Sequence, residues 1–390
     1  MNIGKEQREF RDKLQVSVVE PSGNLYGSEL ALLDILEGLN SAVFRSEVIL
    51  PYGTPFAAKL SKLGVANLCL LPPDMLHRSK VSKAWNYLRL AWHWRCAKPD
   101  LVYINQGGIL RPVSGIARWL KLPMLCQVQT AEDAHWISSL PSIHAQVSTF
   151  VCNSNFIAQL TRVPVGRLST IYQGYKFKGL QRPRHRTRTP SEPIVVGLLG
   201  RVCRGKGHDL VVEAAGRLRR LGVNRFRFRF IGNATEPEEQ RLIDGLVAQH
   251  GVRDLIEFRG FREDIGAELA ALDLLAIPSV AEPFGRILCE AAEAQVPVLL
   301  ADSGGLGELS RRFDIGVRFE AKQVEDFLRQ LLVVADNYDE VRRCFLASAE
   351  RLLGALDLRE YIGVMSQLIT QAAASRAVSL EWLGKGVSRT

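Results

Sequence analysis

The sequence predicts an α/β protein built from two doubly wound domains. Its 390 residues exceed what one ordinary hydrophobic core holds and suit two domains of roughly 200 residues each. Short apolar runs alternate with amphipathic segments in both halves, which is typical of a parallel sheet covered by helices on both faces. Between Tyr175 and Pro193 the alternation gives way to a basic, proline-containing stretch, so we expect the domain boundary there.

The first half contains the strands and helices of an N-terminal domain. Strands separated by helices require right-handed crossovers, which make the strands of one sheet parallel. Ser28 is the predicted N-cap of the first helix, because its hydroxyl can accept a backbone N–H of the first turn. The predicted strands cover residues 14–19, 48–50, 68–71, 101–104, 124–128 and 149–152, and the predicted helices cover 28–39, 57–63, 81–96, 110–120 and 154–160.

The second half repeats this pattern. Its predicted strands cover residues 194–199, 226–231, 256–258, 274–277 and 298–300, with helices such as 209–221 and 237–250 between them. Ligands of open parallel sheets bind at the carboxyl ends of the strands. We therefore expect an N-terminal domain (1–175), a basic linker (176–193), a C-terminal domain (194–372) whose final helix can pack back on the first domain, and a tail (373–390).

Composition excludes several classes of protein. Seven scattered cysteines without a C-x-x-C pair argue against a disulfide framework or a zinc site and favour a reducing compartment. The N-terminus has no apolar region typical of a secretory signal, and no apolar window is long enough to cross a bilayer. A formal charge of +9 favours anionic partners, namely nucleotide diphosphates, acidic lipids or nucleic acid. We expect a cytoplasmic protein, soluble or peripheral on the inner face of the cytoplasmic membrane.

The first chemical motif is the glycine-rich loop at residues 200–207, between a buried strand and a helix. Small residues let the backbone approach a ligand closely, and the helix N-terminus offers unpaired N–H groups to an anion. Arg201 and Lys206 add two positive charges, which suits a diphosphate. The loop is close to a P-loop, but Gly207 replaces the Ser or Thr that would hold Mg²⁺. A glycine-rich turn with surface cations is the alternative.

The second motif covers residues 278–291 and contains Glu282 and Glu290. If both lay on one helix, a rise of ~1.5 Å per residue would separate them by roughly 12 Å along its axis. Each carboxylate could then bind the hydroxyls of one sugar of a nucleotide sugar, with the helix N-terminus facing the phosphates between them. The alternatives are a solvated helix glutamate at position 290 and a helix-dipole partner at position 282.

Together these motifs resemble the retaining glycosyltransferase family 4, whose signature is Glu-x7-Glu preceded by a G-R-x-x-x-x-K-G loop. The resemblance extends from about Leu14 to Tyr361. It implies the α/β fold named GT-B, in which two Rossmann-like doubly wound domains face each other across a cleft. Other matching pieces are Gly27-Ser28-Glu29, Asn153-Ser154, Phe258-Arg259-Gly260-Phe261 and the turn from Ser303 to Glu308.

The resemblance also implies a role for each residue of the motifs. Arg201 and Lys206 would hold the donor diphosphate, and Glu282, the third catalytic residue, would hold the transferred sugar. Glu290 would take the ribose hydroxyls. Neither a metal nor a cofactor is expected, because the two cations and the helix N-terminus would stabilise the departing diphosphate. The departing phosphate would deprotonate the acceptor on the same face of the sugar, with retention. Gly260, Phe261 and Arg262 would lie against the nucleotide base, and the further donor-binding residues implied are Gly27, Gly200, Phe284, Gly285, Arg286 and Ile287. The N-terminal domain would bind the acceptor and the C-terminal domain the donor.

The N-terminal domain departs from the family pattern where many members place a histidine that reaches the sugar. Gln129 stands at that position, and His135 further along is a second candidate, with a capping or packing role as its alternative. Asn105 and Gln106 are candidates for contact with the acceptor, or form a simple turn. In the second domain, Gly232-Asn233 lacks a second glycine that relatives often have.

Residues 77–98 combine aromatic and basic side chains. Trp85, Leu88 and Trp92 share one face of the predicted helix. Two interpretations stay open at this point. Either this helix packs on the core with a solvated basic side, or it docks on an anionic membrane.

The sequence thus predicts transfer of a sugar from a UDP- or GDP-linked donor to a saccharide or lipid-linked hydroxyl acceptor. The resemblance to family 4 implies a role in bacterial surface polysaccharide, lipopolysaccharide or glycolipid assembly. A nucleotide-sugar epimerase of the same fold and a non-catalytic nucleotide-sugar-binding scaffold are the alternatives. An epimerase is expected to lack the paired glutamates, and a scaffold to have lost Arg201, Lys206 or Glu282. Nucleic-acid binding has only the net charge in its favour, so no nucleic-acid partner is expected.

Overall fold

The computed structural model describes residues 13–71, 80–182 and 192–384. The chain forms two compact units, one of Met1–Gly174 with Leu358–Thr390 and the other of Tyr175–Asp357. The sequence predicts a C-terminal domain up to residue 372 whose final helix can pack back on the first domain. In the structure the second unit ends at Asp357, because that helix packs on the first unit. Of the predicted basic linker, residues 183–191 lie outside the described residues, as do residues 77–79 of the basic aromatic stretch.

The first unit is built on a parallel sheet. Its described strands are β1 (Leu14–Val19), β2 (Phe44–Pro51), β3 (Ala66–Leu71), β4 (Leu101–Ile104), β5 (Met124–Val128), β6 (Val147–Cys152) and β7 (Leu168–Thr170). They lie in the order β3-β2-β1-β4-β5-β6-β7. Every residue of β4 and β5 is buried, as expected for strands covered by helices on both faces. The strand order reverses between β1 and β4, which makes their carboxyl ends the expected ligand site of this sheet.

The helices of the first unit include one whose start differs from the prediction. Helix α1 begins at Gly27, after the N-cap Tyr26, so the prediction of Ser28 as N-cap is wrong. Instead, the Glu29 carboxylate accepts the backbone N–H of Tyr26 at 3.1 Å and so caps the helix. The described helices of the unit are α1 (Gly27–Gly38), α2 (Pro55–Lys62), α3 (Lys80–Ala97), α4 (Leu110–Trp119), α5 (Ala131–Ser138), α6 (Pro141–His144) and α7 (Asn155–Leu160).

Helix α3 packs on the sheet with a different face from the one that Trp85 shares with Trp92. Leu90 and Trp94 are buried in the core of the unit, and the Trp94 Nε1–H donates to Ser17 Oγ on β1 at 2.8 Å. Trp85 and Trp92 are exposed. The helix therefore packs on the core, as one of the two interpretations expects, but it does so through Leu90 and Trp94 and leaves the face of Trp85 and Trp92 exposed.

The second unit is a second parallel sheet covered by helices. Its described strands are β8 (Ile194–Leu199), β9 (Phe226–Ile231), β10 (Ile256–Gly260), β11 (Leu274–Ile277), β12 (Val298–Ala301) and β13 (Val317–Phe319), in the order β10-β9-β8-β11-β12-β13. Its described helices are α8 (His208–Arg220), α9 (Pro237–His250), α10 (Ile265–Ala270), α11 (Arg286–Ala294), α12 (Gly304–Phe313), α13 (Val324–Asp336) and α14 (Tyr338–Ala355). The order reverses between β8 and β11, and both sequence motifs follow these two strands.

The last helix, α15 (Leu358–Gly384), completes the core of the first unit. Its buried side chains Tyr361, Met365 and Ile369 share one apolar cluster with Leu32 and Ile35 of α1. No helix in the described part of the chain is long and apolar enough to cross a membrane.

Candidate functional site

The loop after β8 presents its cations at the edge of the second sheet where the strand order reverses. Val202 is buried and anchors the loop, while Arg201 and Arg204 are exposed. Gly207 ends the loop with φ +76° and precedes α8, and a Cβ at this position would meet Pro278 Cβ at 2.7 Å. The glycine therefore lets the first loop lie directly against the loop after β11.

The loop after β11 contains Glu282, which lies outside the helix that follows. Helix α11 begins only at Arg286, because its N-cap Gly285 adopts φ +93° in the left-handed region. The premise of one helix through Glu282 and Glu290, and the axial separation drawn from it, are wrong. Glu282 instead stands in the loop before the N-terminus of α11, and Glu290 lies on the helix.

Two lysine–glutamate pairs involve the motif glutamates. Lys206 Nζ lies 2.5 Å from Glu282 Oε1, so the first and second loops meet through side chains of opposite charge. Lys178 Nζ lies 2.6 Å from Glu290 Oε1. All four side chains keep part of their surface exposed. A bound ligand can therefore replace one member of each pair. Lys178 carries no sequence signal for this position, since it lies in the predicted linker.

Glu293, one turn beyond Glu290, holds the start of the predicted linker on α11. Its carboxylate accepts the Tyr175 hydroxyl at 2.5 Å and the backbone N–H groups of Lys178 and Leu180 at 2.9 and 3.0 Å. Burial opposes ionisation, but these hydrogen bonds together lower the pKa of Glu293 below its ordinary value. Glu293 was not predicted, and it positions Lys178 beside Glu290.

Two glycines in the first turn of α12 support the loop that carries Glu282. The Gly305 N–H donates to the Glu282 carbonyl oxygen at 2.8 Å, and a Cβ on Gly305 would overlap the Pro283 carbonyl oxygen. A Cβ on Gly304 would meet the same Glu282 oxygen at 2.7 Å. The backbone of this turn therefore packs against the Glu282 loop at a distance that only glycine permits.

Asn233 joins the first loop to the segment predicted to face the nucleotide base. Its carbonyl oxygen accepts the Val202 N–H at 3.1 Å, and its Oδ1 accepts the Phe261 N–H at 3.0 Å. The neighbouring Gly232 has φ +140° and donates its N–H to the Gly260 carbonyl oxygen at 2.9 Å. A second glycine is therefore not needed after β9, because Asn233 at that position makes the contacts with Val202 and Phe261.

The predicted base-binding segment presents one aromatic ring to solvent. Phe261 is exposed just after β10, and Arg262 beside it pairs with Glu268 at 3.4 Å. In the second motif, Phe284 and Gly285 are buried and Arg286 and Ile287 are partly buried. Phe284 and Gly285 immediately precede the first turn of α11, and Arg286 and Ile287 begin it. The four residues therefore belong to the start of this helix and do not form a separate cluster of side chains.

The buried side chain of His208 contacts the loop after β8 and is neutral. Its Nδ1 lies 3.1 Å from the Cys203 carbonyl oxygen, and its ring packs edge-on against Phe230 at 4.8 Å. Burial lowers the pKa of His208 to about 4. The positive charge of the loop at neutral pH is therefore carried by its lysine and arginines alone.

In the first unit, a carboxylate–amide network occupies the carboxyl ends of β1 and β4. Asn105 Nδ2 donates to Glu20 Oε2 at 2.6 Å, and Gln106 Nε2 donates to both Glu20 and Glu29 at 3.0 Å. Burial, with a further contribution from the Glu29 charge, raises the pKa of Glu20 to about 7. Gly27 is exposed nearby in sequence at the start of α1. Contact of Asn105 or Gln106 with an acceptor stays a prediction, and the buried Glu20 is what holds both amides.

Gln129 and His135 occupy different environments. The Gln129 Oε1 accepts Gln173 Nε2 at 2.8 Å, and its backbone oxygen accepts Asn153 Nδ2 at 3.0 Å, so this side chain belongs to a buried amide network. Asp133 accepts the Gln129 N–H at 3.2 Å. His135 is exposed on α5. Of the two candidates for the sugar contact, His135 is therefore the one whose side chain is free to move toward a ligand.

No group of three or more His, Cys, Asp or Glu side chains suited to a metal ion occurs among residues 13–71, 80–182 and 192–384.

Comparison with known proteins identifies relatives of both sequence and fold. Residues 181–350 match the family of glycosyl transferases group 1. Glycogen synthase of Mycobacterium tuberculosis is 25% identical over 297 residues, covering 71% of this chain and 70% of that protein. LpsE of Rhizobium meliloti, a lipopolysaccharide core biosynthesis glycosyltransferase, is 29% identical over 192 residues, or 48% of this chain and 54% of LpsE.

Among solved structures, Anabaena HepE in complex with UDP and glucose has a TM-score of 0.78 at 17% identity. The likeness covers 92% of this chain and 99% of HepE. The prediction of the GT-B fold is confirmed.

Proposed function

We propose that this chain, whose residues 181–350 form a glycosyl transferases group 1 domain, is a retaining, metal-independent enzyme that uses a UDP- or GDP-linked sugar donor. The observation that carries the proposal is the contact of Lys206 with Glu282 where the two motif loops meet. It brings a cation suited to phosphate and a carboxylate suited to sugar hydroxyls to one place. The fold shared with HepE, which was crystallised with UDP and glucose, supports a nucleotide-sugar donor.

The proposed reaction places charge where the loops can stabilise it. As the bond between the anomeric carbon and the diphosphate oxygen breaks, its electron pair goes to the phosphate and positive charge builds on the sugar ring. Lys206 leaves Glu282 and, with Arg201 and the N-terminus of α11, stabilises the departing diphosphate, so no metal is required. The acceptor hydroxyl attacks from the same face and gives its proton to the departing phosphate, which retains the configuration.

The rest of the donor is proposed to lie along α11 and β10. When the donor binds, Glu290 releases Lys178 and accepts hydrogen bonds from the ribose hydroxyls instead. Phe261 offers an exposed ring on which the base can stack, beside Gly260 and Arg262. Glu282 binds the hydroxyls of the transferred sugar. In the first unit, exposed Gly27 is proposed as a further donor-binding residue.

We propose a bacterial surface polysaccharide, lipopolysaccharide or glycolipid as the product, with a saccharide or lipid-linked acceptor and a cytoplasmic location. The similarity to LpsE supports this class of pathway. The similarity to glycogen synthase supports sugar transfer as the reaction. No nucleic acid takes part in the proposed reaction.

The direct test of the function is product analysis with a panel of UDP- and GDP-sugars in the presence of EDTA. Release of free UDP or GDP with transfer of the sugar to added saccharide or lipid-linked acceptors, or slow hydrolysis without acceptor, is expected. An isomerised nucleotide sugar would establish the epimerase instead. Donor binding without turnover across the panel would favour the scaffold, and strict dependence on added metal would contradict the proposed charge stabilisation.

Glu290→Ala is expected to weaken the affinity for UDP or GDP by about 10- to 100-fold, since hydrogen bonds to a charged group contribute about 1.5–3 kcal/mol. Isothermal titration calorimetry of the free nucleotide measures this without turnover. Glu213→Ala on α8 is the matched control, because Glu213 pairs with Arg217 on the surface and has no proposed ligand. An unchanged dissociation constant in Glu290→Ala would remove the ribose assignment.

A further inference from the structure

Helix α3 exposes an apolar stripe on the surface of the first unit. Trp85 is 66% exposed, Leu88 63% and Trp92 71%. Their spacing of three and four residues places them along one side of the helix. Contiguous exposed apolar side chains of this size are unusual on a soluble protein and mark a surface that contacts a partner.

The other side of α3 holds the helix firmly on the sheet. Leu90 and Trp94 are buried, and Trp94 donates to Ser17 on β1 at 2.8 Å. His93 Nε2 lies 2.9 Å from Glu47 Oε1 on β2. The stripe is therefore presented outward by a helix that cannot rotate to bury it without breaking these contacts.

Positive charges flank the stripe. At 3.6 residues per turn, Arg89 lies on one side of it and Arg95 on the other, and both are exposed. The sequence of Lys80–Ala97 contains no acidic residue. A surface with tryptophans at its centre and arginines at its borders fits the boundary between the acyl chains and the anionic headgroups of a bilayer.

The neighbouring helix carries another exposed tryptophan. Helix α4 packs against α3, and both connect parallel strands, so their C-terminal ends lie at the same edge of the helical layer. At that edge α4 ends with Trp119, which is 66% exposed and follows the exposed Arg118. The combination of an exposed tryptophan with an exposed arginine thus recurs on a helix that packs against α3.

We propose that the stripe of Trp85, Leu88 and Trp92, with Arg89 and Arg95, docks the protein on an anionic phospholipid bilayer. The arginines favour this occupant over a second copy of the chain, because two copies joined by this face would bring like charges together. The docking does not depend on the proposed sugar transfer. If both hold, the acceptor class is a sugar carrier or glycolipid anchored in that membrane.

The experiment is co-sedimentation of the full chain with phosphatidylcholine vesicles, with or without about one third phosphatidylglycerol. The expected result is binding to the anionic vesicles that is about tenfold or more above binding to the neutral ones and that falls with added salt. Replacing Trp85, Leu88 and Trp92 together by serine should reduce binding about tenfold or more. Circular dichroism and urea unfolding should be unchanged, since the replaced side chains are exposed.

Two further variants make the result specific. Arg89→Glu with Arg95→Glu should weaken binding to anionic vesicles roughly fivefold or more for each cation reversed, while leaving the stripe intact. Val165→Ser with Leu221→Ser removes apolar side chains that are 92% and 70% exposed elsewhere, and should bind like the wild type.

Absence of wild-type binding to anionic vesicles would overturn the proposal, as would undiminished binding of the serine variant. A dimer in sedimentation velocity that the serine variant converts to monomer, without vesicle binding, would assign the stripe to a second copy instead. Donor turnover, measured without vesicles, reports separately on the proposed function.

Discussion

Replacing Lys206 by alanine is expected to lower the rate of sugar transfer by about 10²- to 10³-fold, the usual effect of removing one preorganised charge from a transition state. Lys206 stands where the two motif loops meet, 2.5 Å from Glu282. The diphosphate gains its charge at that point as the glycosidic bond breaks, so the loss should appear mainly in kcat. Steady-state kinetics with the cognate donor measure the effect.

Arg204→Ala is the matched control for Lys206→Ala. It removes a cation from the same loop, and its exposed side chain has no proposed ligand. Its rate is expected to stay within about threefold of wild type, since exposed charges act weakly. A double-mutant cycle with Glu282→Gln separates direct action of Lys206 on the diphosphate from action through Glu282. Near-normal turnover of Lys206→Ala would remove this residue from the diphosphate site.

Gly232→Ala is expected to reduce the free energy of unfolding by about 3 kcal/mol, from strained backbone and from overpacking. Gly232 adopts φ +140°, and a Cβ there would overlap the carbonyl oxygen of Gly200. Relief of this overlap must displace the first loop or break the hydrogen bond from Gly232 to Gly260. Nucleotide affinity should therefore fall together with stability. Urea unfolding and calorimetric titration measure the two effects.

Gly245→Ala, by contrast, should increase the free energy of unfolding. Gly245 lies within α9, and a Cβ there meets nothing within 4 Å. Alanine should stabilise this helix by about 0.5–1 kcal/mol and leave nucleotide affinity unchanged. Equal stability of the Gly232 and Gly245 variants would contradict the close approach of the β9 and β8 ends.

The fold was predictable because its strands are buried. In a parallel sheet covered on both faces, strands such as β8 and β11 read as continuous apolar runs, and the helices between them show a clear period. Three-residue strands such as β7 and β13 carry too few side chains for such a signal and were missed. The side of the sheet on which the last helix packs depends on tertiary contacts that no local pattern encodes.

The candidate site was predictable in its loops but not in its geometry. The sequence places Gly285 in the second motif, yet the helix starts only after it, because Gly285 adopts φ +93° in the left-handed region. The pairing of Lys178 with Glu290 joins residues 112 positions apart, which no spacing rule predicts. Likewise, α3 has apolar residues on two sides, and only the packing of Trp94 decides which side faces water.

The most direct test of the proposed site is a crystal structure of the chain with bound UDP or GDP. We expect the diphosphate within hydrogen-bonding distance of Lys206 Nζ and Arg201, with Glu282 released from its lysine and the ribose hydroxyls on the Glu290 carboxylate. A nucleotide bound away from the carboxyl ends of β8 and β11, or one that leaves the Lys206–Glu282 pair intact, would contradict it.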